Sequence, residues 1–397
     1  RRSPESPGGH SPDHPVEGRL SAERGSVSPM NWRYIADAVV TASFGLAADE
    51  VVTRRQGTGA SPPTLRLYTY RSHCALVGRF QRVGSEVHLD YCRANGIAVN
   101  RRPTGGGAII MGADQLGLAI MLPERAGAGS YERTRQLFQR FSGGIVDALA
   151  SLGVPSEYRR KNDVEVRGRK IAGLGIYFDP AGGLLFHASL LVDLDIPLML
   201  RALQTPFAKI SDKEIATVAE RVTTLRRETG RVLSVGEVRD LVRQAYSRSL
   251  GISLEPGSFS EEELAEIAVL ERQRYTTPEW LEREPATPDA MGSATLKTEG
   301  GLLSAHLTLA GEIIKAVYLT GDFFCDEQVV AKLERALRWH SAAPEQVART
   351  LGGLREQEGL FLPGVPTEAV AGVVGLAVEA AHRQEQLATA KGCFVNP

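Results

Sequence analysis

Apolar and polar positions organise the chain from Trp32 onward. Ile35, Ala38, Val39, Ala42, Leu46, Ala47 and Val51 recur at helical spacing and predict one amphipathic helix reaching about Arg55. Leu65 to Tyr70 alternates as a half-buried strand does, and Ala75 to Gly78 and Ile97 to Val99 are further short apolar runs. Ala108 to Ile110 and Leu116 to Met121 read as two strands across a polar turn, followed by a strong helix from about Tyr131 to Leu152. Strand patterns return at Val164–Val166, Lys170–Leu174 and Leu184–Val192. The helices are interspersed with the strands and do not alternate strictly with them. That predicts an α+β fold with a mostly antiparallel sheet flanked by helices.

Two stretches break this pattern. Residues 1–29 are rich in Pro, Gly, Ser, His and charge, with too little apolar surface to offset the entropy of ordering. They are expected to form a disordered extension, with Met30 as a natural start. Polar sequence around Gly251–Glu262 marks an expected boundary. Beyond it a helix, strands at Leu302–Leu309 and Ile313–Leu319, and two more helical stretches predict a smaller C-terminal α+β domain. The expected division is 1–29, 30–255 and 256–397.

Composition narrows the function classes. Hydrophobic residues make up 43% of the 397, ample for a core, and 46 Lys and Arg balance 47 Asp and Glu. A net charge of −1 gives no general attraction to nucleic acid or an anionic membrane. No apolar run approaches the roughly 20 residues that span a bilayer. The four cysteines, Cys74, Cys92, Cys325 and Cys393, form no C-x-x-C pair. A reducing, cytoplasmic setting is therefore expected.

Three segments carry candidate chemistry. In Arg101-Arg102-Pro103-Thr104-Gly105-Gly106-Gly107-Ala108, three glycines allow backbone N–H groups to converge on an anion, and two arginines add forked donors. A tight hairpin with surface arginines is the plainer reading, and the pattern matches neither a P-loop nor a dinucleotide turn. In the segment from Lys161 to Gly173, Asn162-Asp163 precedes a strand, and Lys170 enters a buried-looking one as a point charge suited to phosphate or an acyl carbonyl. Arg167-Gly168-Arg169-Lys170 taken alone reads as a solvated hairpin turn. In Phe186-His187-Ala188-Ser189, the histidine is either a site residue or a hydrogen-bonded core residue.

Together, Arg101 to Ala108, Asn162-Asp163-Val164, Lys170-Ile171-Ala172-Gly173 and His187-Ala188-Ser189-Leu190-Leu191 resemble the signature of the biotin/lipoate protein ligase superfamily, and of lipoate–protein ligases in particular. Ala47-Ala48-Asp49-Glu50, Val77-Gly78-Arg79-Phe80-Gln81 and Arg221-Val222-Thr223-Thr224-Leu225 agree, and Gly321-Asp322-Phe323-Phe324 is similar to that family's accessory domain. The resemblance implies a class II biotin/lipoyl ligase-like fold. It implies ATP-dependent activation of lipoate to lipoyl-AMP with Mg²⁺, then transfer to a lysine of a lipoyl-domain protein. Acceptors of that kind are the 2-oxoacid dehydrogenase acyltransferase subunit and the glycine-cleavage carrier protein.

It further implies that Lys170 is catalytic, bridging acyl carbonyl and phosphate. Arg102, Thr104, Gly105, Gly106, Gly107 and Ala108 would hold the acyl-adenylate. Asn162 and Asp163 would position phosphate, ribose or Mg²⁺, with Asp163 as metal ligand, and Gly173, His187 and Ser189 would line the site.

Two departures stand out. Where the family continues Ala-Val-x-His-Asp, this chain reads Ala108-Ile109-Ile110-Met111-Gly112, and the family's His-Gly is His187-Ala188. The competing expectations are an octanoyl or lipoyl transferase working through a cysteine thioester, and a binding or scaffold module without chemistry. For the transferase a cysteine is expected between the Asn-Asp strand and about Leu203, and none occurs there.

Overall fold

In the computed structural model, residues 31–124, 131–159, 162–204, 220–282 and 292–392 are described; the N-terminal extension expected at 1–29, Met30, Lys161 and Cys393 lie outside them. The strands are β1 (Asn31–Val40), β2 (Thr64–Tyr70), β3 (Cys74–Val77), β4 (Ala98–Arg101), β5 (Ile109–Met111), β6 (Gln115–Pro123) and β7 (Glu157–Arg159). They continue with β8 (Asp163–Val166), β9 (Arg169–Phe178), β10 (Gly183–Leu191), β11 (Ser253–Pro256), β12 (Gly292–Thr298), β13 (Gly301–Ala310) and β14 (Ile313–Gly321).

An eight-stranded sheet runs in the order β11-β1-β2-β6-β10-β9-β8-β7. β1 pairs in parallel with β2 and β11, and the other neighbours are antiparallel, so the mixed α+β fold with a largely antiparallel sheet is as expected.

The sheet is buried on both faces. Helices α2 (Tyr131–Ser151) and α3 (Val235–Leu250) cover one face, where Phe138, Phe141 and Tyr246 pack on Leu67, Leu118, Val164 and Phe186. Each such side chain contributes about 1.5–3 kcal/mol by leaving water. The other face receives α1 (Ala42–Gly57) and a small sheet, β4-β3-β5, with Leu46, Ala47 and Val51 against Tyr68, Ala119 and Leu185.

The helix expected from Trp32 to Arg55 begins only at Ala42. Residues 31–40 are a strand because tertiary pairing with β2 and β11 overrides an ambiguous local period. Val39, at φ +64°, lies in a register shift between Asp37 and Val40 near the end of the strand, and Thr41 caps α1 by accepting from the Phe44 amide.

The stretch Gly251–Glu262 holds β11, at the edge of the large sheet, and the start of α4 (Glu261–Leu270), which packs on α1. After it, residues 271–275 form a π-helical turn, and Trp280 lies against the Arg79 guanidinium at 4.3 Å.

The second sheet, β12-β13-β14, is antiparallel and covered by α5 (Glu327–Leu337), α6 (Pro344–Glu358) and α7 (Thr367–Gly392). It meets the first unit where Phe323 stacks on Phe80, ring centroids 4.7 Å apart, and the Gly321 amide donates to the Phe80 carbonyl at 2.7 Å. Among the described residues no helix is long and apolar enough to cross a membrane.

Candidate active site

The register of the large sheet lays one line of side chains across five strands. Asp163 pairs with Gly173, Gly173 with Ser189, Ser189 with Gly117, and Gly117 with Tyr68. Directly paired residues face the same side of a sheet, so these five share the face beneath α1. Their small middle members leave a trough.

At one end the Lys170 ammonium lies over the trough: a methyl group on Gly173 would sit 3.0 Å from Nζ and 3.3 Å from Ser189 Oγ. Lys170 pairs with Asp163 at 2.7 Å, both side chains about one-third exposed. Its backbone is clamped by Arg221 and Thr223, since the Lys170 amide donates to the Arg221 carbonyl at 2.9 Å and the Thr223 amide to the Lys170 carbonyl at 2.8 Å. Asn162 lies beside it, its amide donating to the Leu174 carbonyl at 3.2 Å.

Arg102, Gly107, Ala108, Asn162, Lys170, Gly173, His187 and Ser189 line one cavity. Three segments distant in sequence therefore converge. Gly107 carries open space where a side chain would stand, so a ligand can approach the end of the turn there.

The turn itself is built differently from the expectation that its arginines and all three glycines face a ligand. Arg102 is buried and donates to the carbonyls of Leu76, Gly105 and Gly107 at 2.9, 2.9 and 2.7 Å and to Thr104 Oγ1 at 3.2 Å. Burial pulls it down to about 10, still protonated near neutrality. Its fork holds the shape of the turn and lends the cavity a positive wall.

Arg101 is fully buried and faces away. Its guanidinium donates to the carbonyls of Gly78, Arg79, Gln81, Trp280 and Leu281.

Gly105 and Gly106 turn toward the second unit. A methyl group on Gly105 would lie 2.1 Å from the Phe323 carbonyl oxygen, and Gly106, at φ +92°, packs against the Phe324 ring.

His187 settles into the hydrogen-bonded of its two readings and still touches the cavity. It shares a 2.8 Å hydrogen bond with Thr104 Oγ1. Burial, and then the Arg102 charge, push it down to about 3, so the ring is neutral. Ala188, the departure from the family's glycine, packs its side chain in the core on the sheet's other face.

The apolar wall of the cavity was not singled out from the sequence. Leu46, Tyr68, Tyr70, Leu76, Ile109 and Met111 form it, Met111 standing where the family has histidine. The alternation of Arg66, Tyr68 and Tyr70 along β2 was the available signal, since alternate residues share a face. Cys74 and Cys92 are buried, and burial raises both thiols; Cys325 lines a separate cavity beside Phe324.

The chain is similar to octanoyltransferase LipM of Symbiobacterium thermophilum, 30% identical over 276 residues that cover 64% of this chain and 99% of that one. Among solved structures it is similar to a bipartite lipoate protein ligase studied with its E2 lipoyl domain from Thermoplasma acidophilum (27% identity, TM-score 0.57, 65% of this chain and all of that one). It is also similar to lipoate-protein ligase A bound with ATP (26% identity, TM-score 0.55, 64% of this chain and 99% of that one). The family model for the lipoyl protein ligase A/B catalytic domain matches residues 41–247, over the strands, turn and lysine just described, and the chain belongs to that family.

Proposed function

We propose that this enzyme is an ATP-dependent lipoate–protein ligase. The observation that carries the reading is the Lys170–Asp163 ion pair beside a cavity that Lys170 and Asn162 both line and that, among the described residues, no cysteine side chain lines. Cys74 and Cys92 are buried thiols unsuited to attack, and Cys325 faces another cavity. The similarity to octanoyltransferase LipM favours a second reading, octanoyl transfer.

In the ligase reading, lipoate lies along the trough with its carboxylate toward Lys170. That carboxylate attacks the α-phosphorus of ATP, pyrophosphate leaves, and the mixed anhydride stays enclosed. A lysine amine of the acceptor then attacks the acyl carbonyl, and AMP departs.

Lys170 neutralises charge at the carbonyl and phosphate oxygens in both steps and gives up Asp163 as substrate enters. The Gly107 N–H and the Asn162 side-chain amide donate to acyl-phosphate oxygens. Arg102 supplies positive potential through the turn that it shapes, and the apolar wall keeps water from the anhydride.

Among the described residues no cluster of three or more His, Cys, Asp or Glu could hold a metal ion. The residues present fit a Mg²⁺ held mainly by the nucleotide's phosphates, with Asp163 as its protein ligand, and the ion would offset phosphate charge there. The acceptor is a lipoyl-domain protein, in keeping with the E2 lipoyl domain studied with the T. acidophilum ligase.

Lipoate-dependent ATP–pyrophosphate exchange tests the reading. The chain should catalyse it, and Lys170→Ala should lose it by at least a hundredfold while melting at the same temperature. Octanoyl transfer from an acyl-carrier protein without ATP, in place of exchange, would select the transferase.

A further inference from the structure

The trough ends in a wall with a defined position. Tyr68, at the end of the Asp163–Gly173–Ser189–Gly117–Tyr68 line, leans back over its neighbour: a methyl group on Gly117 would lie 2.4 Å from its ring. Only glycine leaves room for that pose. The ring is also held in place. The Arg66 guanidinium lies 4.3 Å from its centroid, Tyr70 meets it edge-on at 5.4 Å, and Arg66 is itself fixed by Asp49 at 2.7 Å.

Lys170 stands over Gly173 and Tyr68 over Gly117 at the two ends of the line, and the span between them crosses from the Gly173 strand over the Ser189 strand to the Gly117 strand. That is two interstrand steps, roughly 10 Å. Leu76 and Met111 line the same cavity. A saturated chain of about eight carbons, zigzagging through bonds of ~1.5 Å, spans this length with its carboxyl at Lys170.

We infer that Tyr68 is a chain-length ruler: its ring, seated over Gly117, is the stop against which the far end of the acyl chain rests, and it sets the acceptance of an eight-carbon acyl group. The inference rests on the acyl-binding role of the cavity in the proposed function, and it holds for ligase or transferase alike.

The test is binding of hexanoate, octanoate, decanoate and dodecanoate to the full chain, without ATP, by titration calorimetry. The unaltered protein should bind octanoate tightest. Tyr68→Ala should move the optimum to decanoate or dodecanoate, gaining roughly fourfold per added methylene that finds apolar cover. Tyr68→Phe keeps the ring and should keep the octanoate optimum. Should the alanine variant fail to fold, Tyr68→Leu, which retains an apolar side chain shorter than the ring, should shift the optimum to decanoate.

An unchanged order in the folded alanine or leucine variant would overturn the ruler. So would an unaltered protein that binds none of the four acids or prefers dodecanoate. Loss of ATP–pyrophosphate exchange with the chain-length order intact would remove the ligase reading alone.

Discussion

The His187 imidazole is neutral because it is buried beside the Arg102 charge, and its folded-state pKa of about 3 lies below the ordinary 6.5. A depressed histidine contributes stability above its unfolded value, and that stability is lost as pH falls from about 6.5 toward 3. The melting temperature should therefore fall over this window. His187→Gln cannot titrate yet can still reach Thr104, so it should flatten the slope. An unchanged slope would mean that other groups govern it.

At the same scale, Arg101 gathers five carbonyls from two distant stretches of chain. Arg101→Ala strands them in a dry interior and should destabilise the fold by about 3–5 kcal/mol, measurable by urea unfolding. A surface arginine would cost a few tenths. From sequence alone, Arg101 and Arg102 fit a pair of anion-binding forks. What the sequence conceals is competition: a guanidinium whose donors can reach backbone carbonyls uses them there, and only the fold reveals how many are within reach.

Among the elements, those with a long and unambiguous period were legible. The alternation in β2 and β6, the run at Tyr131–Leu152 and the strands around Lys170 all stand near where their patterns placed them. β1 was not, because Ile35, Ala38 and Val39 fit a helix as well as a strand, and its strand character comes from partners at β2 and at β11, more than 200 residues away. The site was legible to the same degree. Lys170, Asn162, His187 and Ser189 carry their signal in local motifs, whereas the apolar wall and the line from Asp163 to Tyr68 arise from pairing register, which no single stretch encodes.

The glycine turn joins these two levels. Gly105→Ala sets a methyl group against the Phe323 carbonyl, with backbone on both sides, so relief requires moving one unit against the other. The variant should lose about 1–3 kcal/mol in chemical unfolding. Gly107→Ala, with nothing within 4 Å, should leave stability unchanged and weaken acyl-ligand binding instead. Equal stability losses at the two positions would contradict this division.

Across the whole molecule, the second unit forms the back wall of the turn. The Phe323 carbonyl reaches Gly105, the Phe324 ring reaches Gly106, and Phe138 of α2 closes on Phe324 with centroids 5.4 Å apart. A ligand held by the turn and the position of the second unit are thus mechanically linked. The bond from the Gly321 amide to the Phe80 carbonyl crosses that boundary. It cannot persist if the units separate. In deuterated solvent the Gly321 proton would exchange during such separations, so its lifetime, read with and without octanoate, counts how often the two halves of the enzyme let go of each other.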